Sequence, residues 1–114
     1  MKLTLKHVVV GILLLSFGAP VVAGSPEHDA IVAAVAAGNG GDYATELRLL
    51  RPLADQGVAD AQHYLGYMYY FGEGVPQDYA EAMKWFRKSA DQGNFDGEYY
   101  LGFFYAKGQG VTKD

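Results

Sequence analysis

Few residues in this chain have the type and spacing to do chemistry. The histidines are His7, His28 and His63, and cysteine is absent. Without cysteine there is no disulfide framework, thiolate zinc site or thiol nucleophile. Glu27-His28-Asp29 has the composition of a metal cluster. Adjacent residues on a helix point apart, however, so this triplet chelates poorly and reads better as a solvated first turn. Beyond residue 23 the serines are Ser25 and Ser89. Ser25 stands before Pro26-Glu27, where a helix cap belongs. Ser89 has Lys88 beside it on a helix, which is not a nucleophile–base geometry. No catalytic, cofactor-binding or metal-binding residue is assigned.

Gly72-Glu73-Gly74-Val75-Pro76 is the remaining candidate, because glycine-rich loops can cradle phosphates. A dinucleotide loop needs a third glycine where Gln77 stands, and a Walker loop needs Gly-Lys-Ser/Thr, which is missing. The pair also recurs. Residues 64–78, YLGYMYYFGEGVPQD, align with 100–114, YLGFFYAKGQGVTKD, at an offset of 36. Leu65/Leu101, Gly66/Gly102, Tyr69/Tyr105, Gly72/Gly108, Gly74/Gly110, Val75/Val111 and Asp78/Asp114 all obey it. So do Asp42-Tyr43-Ala44 with Asp78-Tyr79-Ala80, and Ala54-Asp55-Gln56-Gly57 with Ala90-Asp91-Gln92-Gly93. A fixed period in the 30s marks stacked helix–turn–helix units. The glycines end one helix and aim the next.

The helices that position these residues carry their own signals. Over 59–71, Gln62, Leu65, Gly66 and Tyr69 share one face. A glycine on that face predicts close approach of a neighbouring helix. Gly72 stops the helix and Pro76 keeps the loop from continuing it. Asp78 and Glu81 form the acidic version of a capping box for a helix over 79–91. Its apolar stripe is Tyr79, Ala82, Met83, Phe86 and Ala90, with Trp85 at the stripe's edge and Gly93 as the stop. Further upstream, Ala30–Ala37 favours helix and Gly38-Asn39-Gly40-Gly41 turns the chain. Asp42 then caps a helix in which Pro52 predicts a kink or break after Arg51.

These residues resemble the Sel1-like repeat, a relative of the tetratricopeptide repeat. The pattern is carried by Ala61-Gln62, Leu65-Gly66, Tyr69, Gly72, Gly74-Val75, Asp78-Tyr79, Ala82, Trp85 and Gln92-Gly93. It covers 58–114 well and 25–57 only in the second helix. The resemblance implies an all-α fold, a short right-handed solenoid of antiparallel helix pairs. Its units are a degenerate first pair over 25–57, a complete repeat over 58–93 and a partial one over 94–114. In the last unit Gly97-Glu98 replaces Ala-Gln, which predicts a poorer packer. The resemblance also implies an adaptor or scaffold that binds a protein or peptide. Cysteine-rich relatives have been linked to β-lactam hydrolysis; with neither cysteine nor a recognisable nucleophile, that activity is not carried over. A cell-envelope hydrolase and a shortened, non-binding copy of a longer repeat protein stand as alternatives.

In tetratricopeptide relatives a second stripe of the first helix lines the concave groove. Here that stripe is His63, Tyr67 and Tyr70, with Tyr99 and Phe103 one unit on. Tyrosine and phenylalanine bring large contact area with few rotors. The other possibility is that they pack against adjacent helices.

The N-terminus reads separately. Lys2 and Lys6 precede an apolar run, VVVGILLLSFGA, then Pro20 and Val21-Val22-Ala23. That is a secretory signal peptide over 1–23, cleaved after Ala23. The run is short for a spanning helix, which needs about 20 residues. An uncleaved anchor is the competing reading. Cleavage leaves residues 24–114, seven basic and thirteen acidic residues, a net charge of -6 and no stable membrane anchor. The expected location is periplasmic or secreted. Nothing basic enough to hold nucleic acid is present.

Overall fold

The structure, a computed structural model, describes residues 24–108. The signal peptide expected over 1–23 and the repeat positions Gly110, Val111 and Asp114 lie outside them. Five helices follow one another: α1 Pro26–Asn39, α2 Tyr43–Asp55, α3 Ala59–Phe71, α4 Tyr79–Asp91 and α5 Phe95–Lys107. Four begin at a side chain that accepts an otherwise unpaired backbone N–H. Ser25 Oγ takes His28 N at 3.1 Å, and Asp42 Oδ1 takes Thr45 N at 3.1 Å. Asp78 Oδ1 takes Glu81 N at 3.0 Å and Asn94 Oδ1 takes Gly97 N at 2.9 Å. Helix α3 follows Val58 without such a cap.

The glycine pair after α3 turns the chain. Gly72 (φ 71°) closes the helix in the left-handed region, its N–H reaching Met68 O at 2.8 Å. Gly74 (φ 76°) lies against Tyr43 and the Met68 methyl; a Cβ there would sit 3.0–3.1 Å from both. The turn is thus held against the start of α2, and Asp78 N closes it on Tyr69 O at 2.9 Å.

Every substantial helix interface joins consecutive helices, as in a one-dimensional stack. Helix α3 faces two cores. Leu65, Met68 and Ala61 join Ile31, Ala34, Leu50, Ala54, Val58 and Trp85 in the first. Ala82, Met83, Phe86 and Phe104 form the second, with Tyr67, Tyr69, Tyr70 and Tyr100 against it. Buried polar groups bind across the stack. Gln62 Nε2 donates to Ala54 O, and Gln92 Nε2 donates to both Gln62 Oε1 and Gly57 O. Ser89, fully buried, donates to Ala59 O at 2.9 Å.

The structure departs from the sequence reading at several places. Of the kink or break expected after Arg51, the break does not occur: helix α2 runs on through Pro52. Pro52 and Arg48 are both exposed, so water can satisfy the carbonyl that Pro52 leaves without a donor. Trp85 is buried in the first core, with Lys88 Nζ 4.7 Å from its ring centre. The capping box of α4 is made in one direction: Asp78 N bonds Tyr69 O, and Glu81 pairs instead with Lys84 at 3.0 Å. Helix α1 continues through Gly38 to Asn39, so the turn comes later. Gly97 brings α5 against α4, where a Cβ would stand 2.9 Å from Ala90 N. The start of α5, expected to pack poorly, is a close contact.

Candidate functional site

A groove runs between α1 and α3. Its first half lies between the C-terminal ends of those helices and the start of α2, and holds ≈ 550 Å³. Val35, Gly38 and Asn39 of α1, Tyr43 and Glu46 of α2, and Tyr64, Tyr67, Met68 and Phe71 of α3 line it, with Glu73 from the glycine turn. The second half, also ≈ 550 Å³, is lined by His28, Ile31, Val32 and Ala36 of α1, Asp60 and His63 of α3, and Asp96 of α5. Val35, Asn39 and Tyr64 border both halves.

The wall from α3 is set by helical spacing. Asp60, Tyr64, Tyr67 and Phe71 fall at i, i+4, i+7 and i+11, one stripe of the helix. Tyr67 stacks on Phe71 at 5.0 Å and meets Tyr100 edge-on at 5.2 Å. Phe71 is 50% exposed.

Of the five residues expected on this face, His63 and Tyr67 line the groove. His63 is itself buried; among the described residues its Nδ1 has no partner, and its Nε2 lies 3.8 Å from Asp96 Oδ2. Tyr70 turns toward the second core, with ring centres 5.2 Å from Tyr79 and 5.3 Å from Phe104. Phe103 lies beside Tyr70 and under Lys107 Nζ at 5.2 Å. Tyr99 is 63% exposed against the edge of Tyr100. Tyr64, Phe71, Glu46 and Glu73 are groove residues that sequence reasoning missed. The α3 stripe one position round from His63 and Tyr70 would have found Tyr64 and Phe71. Glu46 and Glu73 come from other segments, and no local spacing links them.

The groove is acidic. Glu46, Glu73, Asp60 and Asp96 line it, and among the described residues no lysine or arginine does. Burial, and then the charge of Glu73, raises the Glu46 carboxyl above its usual range. The same Glu73 charge raises Tyr43. Burial lowers His63, against the pull of Asp96 and Asp60, so its imidazole is neutral at pH 7. Burial and the nearby acids raise Tyr64. Among the described residues no group of three or more His, Asp or Glu converges to hold a metal ion.

The model of the Sel1 repeat matches residues 59–94 and 96–114. Two solved structures resemble the chain. One is a Sel1 repeat protein from Oxalobacter formigenes, 29% identical with a TM-score of 0.68, covering 75% of this chain and 34% of its own. The other is c5321, a protective antigen of uropathogenic Escherichia coli strains displaying an SLR fold. It is 33% identical with a TM-score of 0.71, covering 77% of this chain and 20% of its own. The chain thus spans about a third and a fifth of these relatives. Comparison with curated proteins finds no match. The chain is a Sel1-like repeat protein in its repeats and in its solenoid fold.

Proposed function

We propose that this protein is an exported binding module whose concave groove holds a segment of a partner polypeptide, with no catalysis of its own. The observation that carries this reading is the α3 wall. Tyr64 and Tyr67, each half-buried with one side against a core, and Phe71, 50% exposed, present an aromatic stripe along an open groove. Such rings supply apolar contact area at low entropic cost, and anchors of this kind dominate binding energy. Sel1-repeat folds generally serve as protein-interaction scaffolds, which supports the same reading. Export rests on the signal-peptide pattern over 1–23 and places the partner in the periplasm or outside the cell.

The test is site-specific cross-linking in the native cell envelope. A photoreactive phenylalanine analogue replaces Tyr67 in one variant and Lys84, on the exposed face of α4, in another. A discrete polypeptide adduct from position 67 and none from 84 is expected. Equal labelling from both positions, or none from 67, would overturn the reading.

A further inference from the structure

We propose that the α1–α2–α3 junction is a socket for a cation: Glu46 and Glu73, beside the rings of Tyr64 and Phe71, receive one lysine or arginine side chain of the segment in the groove. The inference rests on the groove reading above and names the chemistry of its occupant.

Glu46 is 8% exposed, yet it lines the groove and no group among the described residues donates a hydrogen bond to it. Burying a carboxylate without a partner is unfavourable. The fold nevertheless makes room for it. Helix α1 passes so close at Gly38 that any Cβ there would overlap the Glu46 carboxylate. Glu73, brought in by the glycine turn, adds a second negative charge where a neutralising one would relieve the first. A buried acid raised by burial and by a second acid, in a concavity, is a mark of a functional site.

The missing partner is defined by what surrounds the gap. Its charge is positive, since both fixed charges are negative. It reaches the site along an open groove, so it sits on a flexible stem. The rings of Tyr64 and Phe71 line the same space and can attract an ammonium or guanidinium group, and Val35 offers its methylenes an apolar contact. The other half of the groove continues the pattern with Asp60 and Asp96. A basic segment is therefore favoured along the whole length, and an acidic one is repelled.

The test selects twelve-residue random peptides displayed on phage against the purified protein and measures Kd for the winners. Enriched peptides are expected to share a lysine or arginine. Changing that residue to glutamine weakens binding about tenfold or more, as does Glu46→Gln in the protein. The two changes together weaken it no further than either alone, because both remove one contact. Glu46→Gln keeps the side chain's shape, and a thermal melt verifies its fold. Peptides that lose binding to Val32→Arg, which blocks the other half of the groove, but carry no basic residue or ignore Glu46→Gln overturn the socket and leave the groove standing. Peptides indifferent to both Val32→Arg and Glu46→Gln overturn both readings.

Discussion

Glu46 illustrates how one side chain can serve a site at the fold's expense. Its carboxyl is raised by burial and by Glu73, so the folded state holds the proton more tightly than the unfolded chain does. The corresponding stability is fully present below the unfolded carboxyl range and is lost as pH rises through the folded value. Glu46→Gln is therefore expected to melt above the parent at pH 7, with the gap narrowing toward pH 4. A gap that stays constant across that range would show that the charge at 46 costs nothing. Gly66 is a residue whose role lies in space. A Cβ there would meet the fully buried Phe86 ring at 3.0 Å, and that ring stacks on Tyr100 at 4.9 Å. Gly66→Leu is expected to destabilise by about 1–3 kcal/mol or more through overpacking. Gly66→Ala is milder, since a helix-propensity gain of up to about 1 kcal/mol opposes the crowding. Chemical denaturation measures both, and a leucine variant as stable as the parent would remove Gly66 from the contact. The sequence already marked this glycine as buried; the aromatic ring that fills its space came only with the fold.

Between elements, the repeat period reproduces contacts as well as residue types. Arg51 donates to the Tyr69 hydroxyl at 2.8 Å, and Arg87, 36 residues on, to Tyr105 at 2.7 Å. The arginines lie 5.8 and 5.7 Å from the respective ring centres. The two pairs differ in burial: Tyr69 is half-buried while Tyr105 is 47% exposed. Tyr69→Phe is thus expected to cost about 1.5–3 kcal/mol, the range for a bond to a charged group, and Tyr105→Phe distinctly less. Equal losses in denaturant melts would mean that burial does not set the strength of this pair. The tyrosines were legible as repeat positions, whereas the arginines were not, although the same offset joins them. Helix boundaries were legible from Ser25, Asp42, Gly72, Asp78 and Gly93, whose capping and stopping roles depend on local chemistry. The groove stripe of α3 was harder to read. His63-Tyr67-Tyr70 and Tyr64-Tyr67-Phe71 are adjacent stripes of nearly equal aromatic content, and only the position of α1 decides which one faces the groove. Pro52 shows the same limit, because whether a helix continues through a proline depends on what surrounds the freed carbonyl, here exposed to water at Arg48.

At the scale of the molecule, consecutive helices share two cores across α3, and the groove between α1 and α3 stays open. Export is expected to leave Gly24 as the first residue of the mature protein. N-terminal sequencing of the exported form checks this, and an intact Met1 would contradict it. The central claim, that the groove binds a polypeptide, separates binding from folding. Leu65→Ala, a deletion in a fully buried position, is expected to destabilise by about 2–5 kcal/mol. Tyr67→Ala combined with Phe71→Ala, both on the groove stripe, is expected to lower the melt less. It should also weaken the polypeptide captured through position 67 by about 30-fold or more, the loss that follows truncation of an anchor. The deciding measurement is that affinity taken together with the melt of the same variant. A large loss of affinity with the fold kept is the predicted result. Unchanged affinity, or a melt that falls as far as that of Leu65→Ala, would show these aromatics to be core and the groove not to be the binding face.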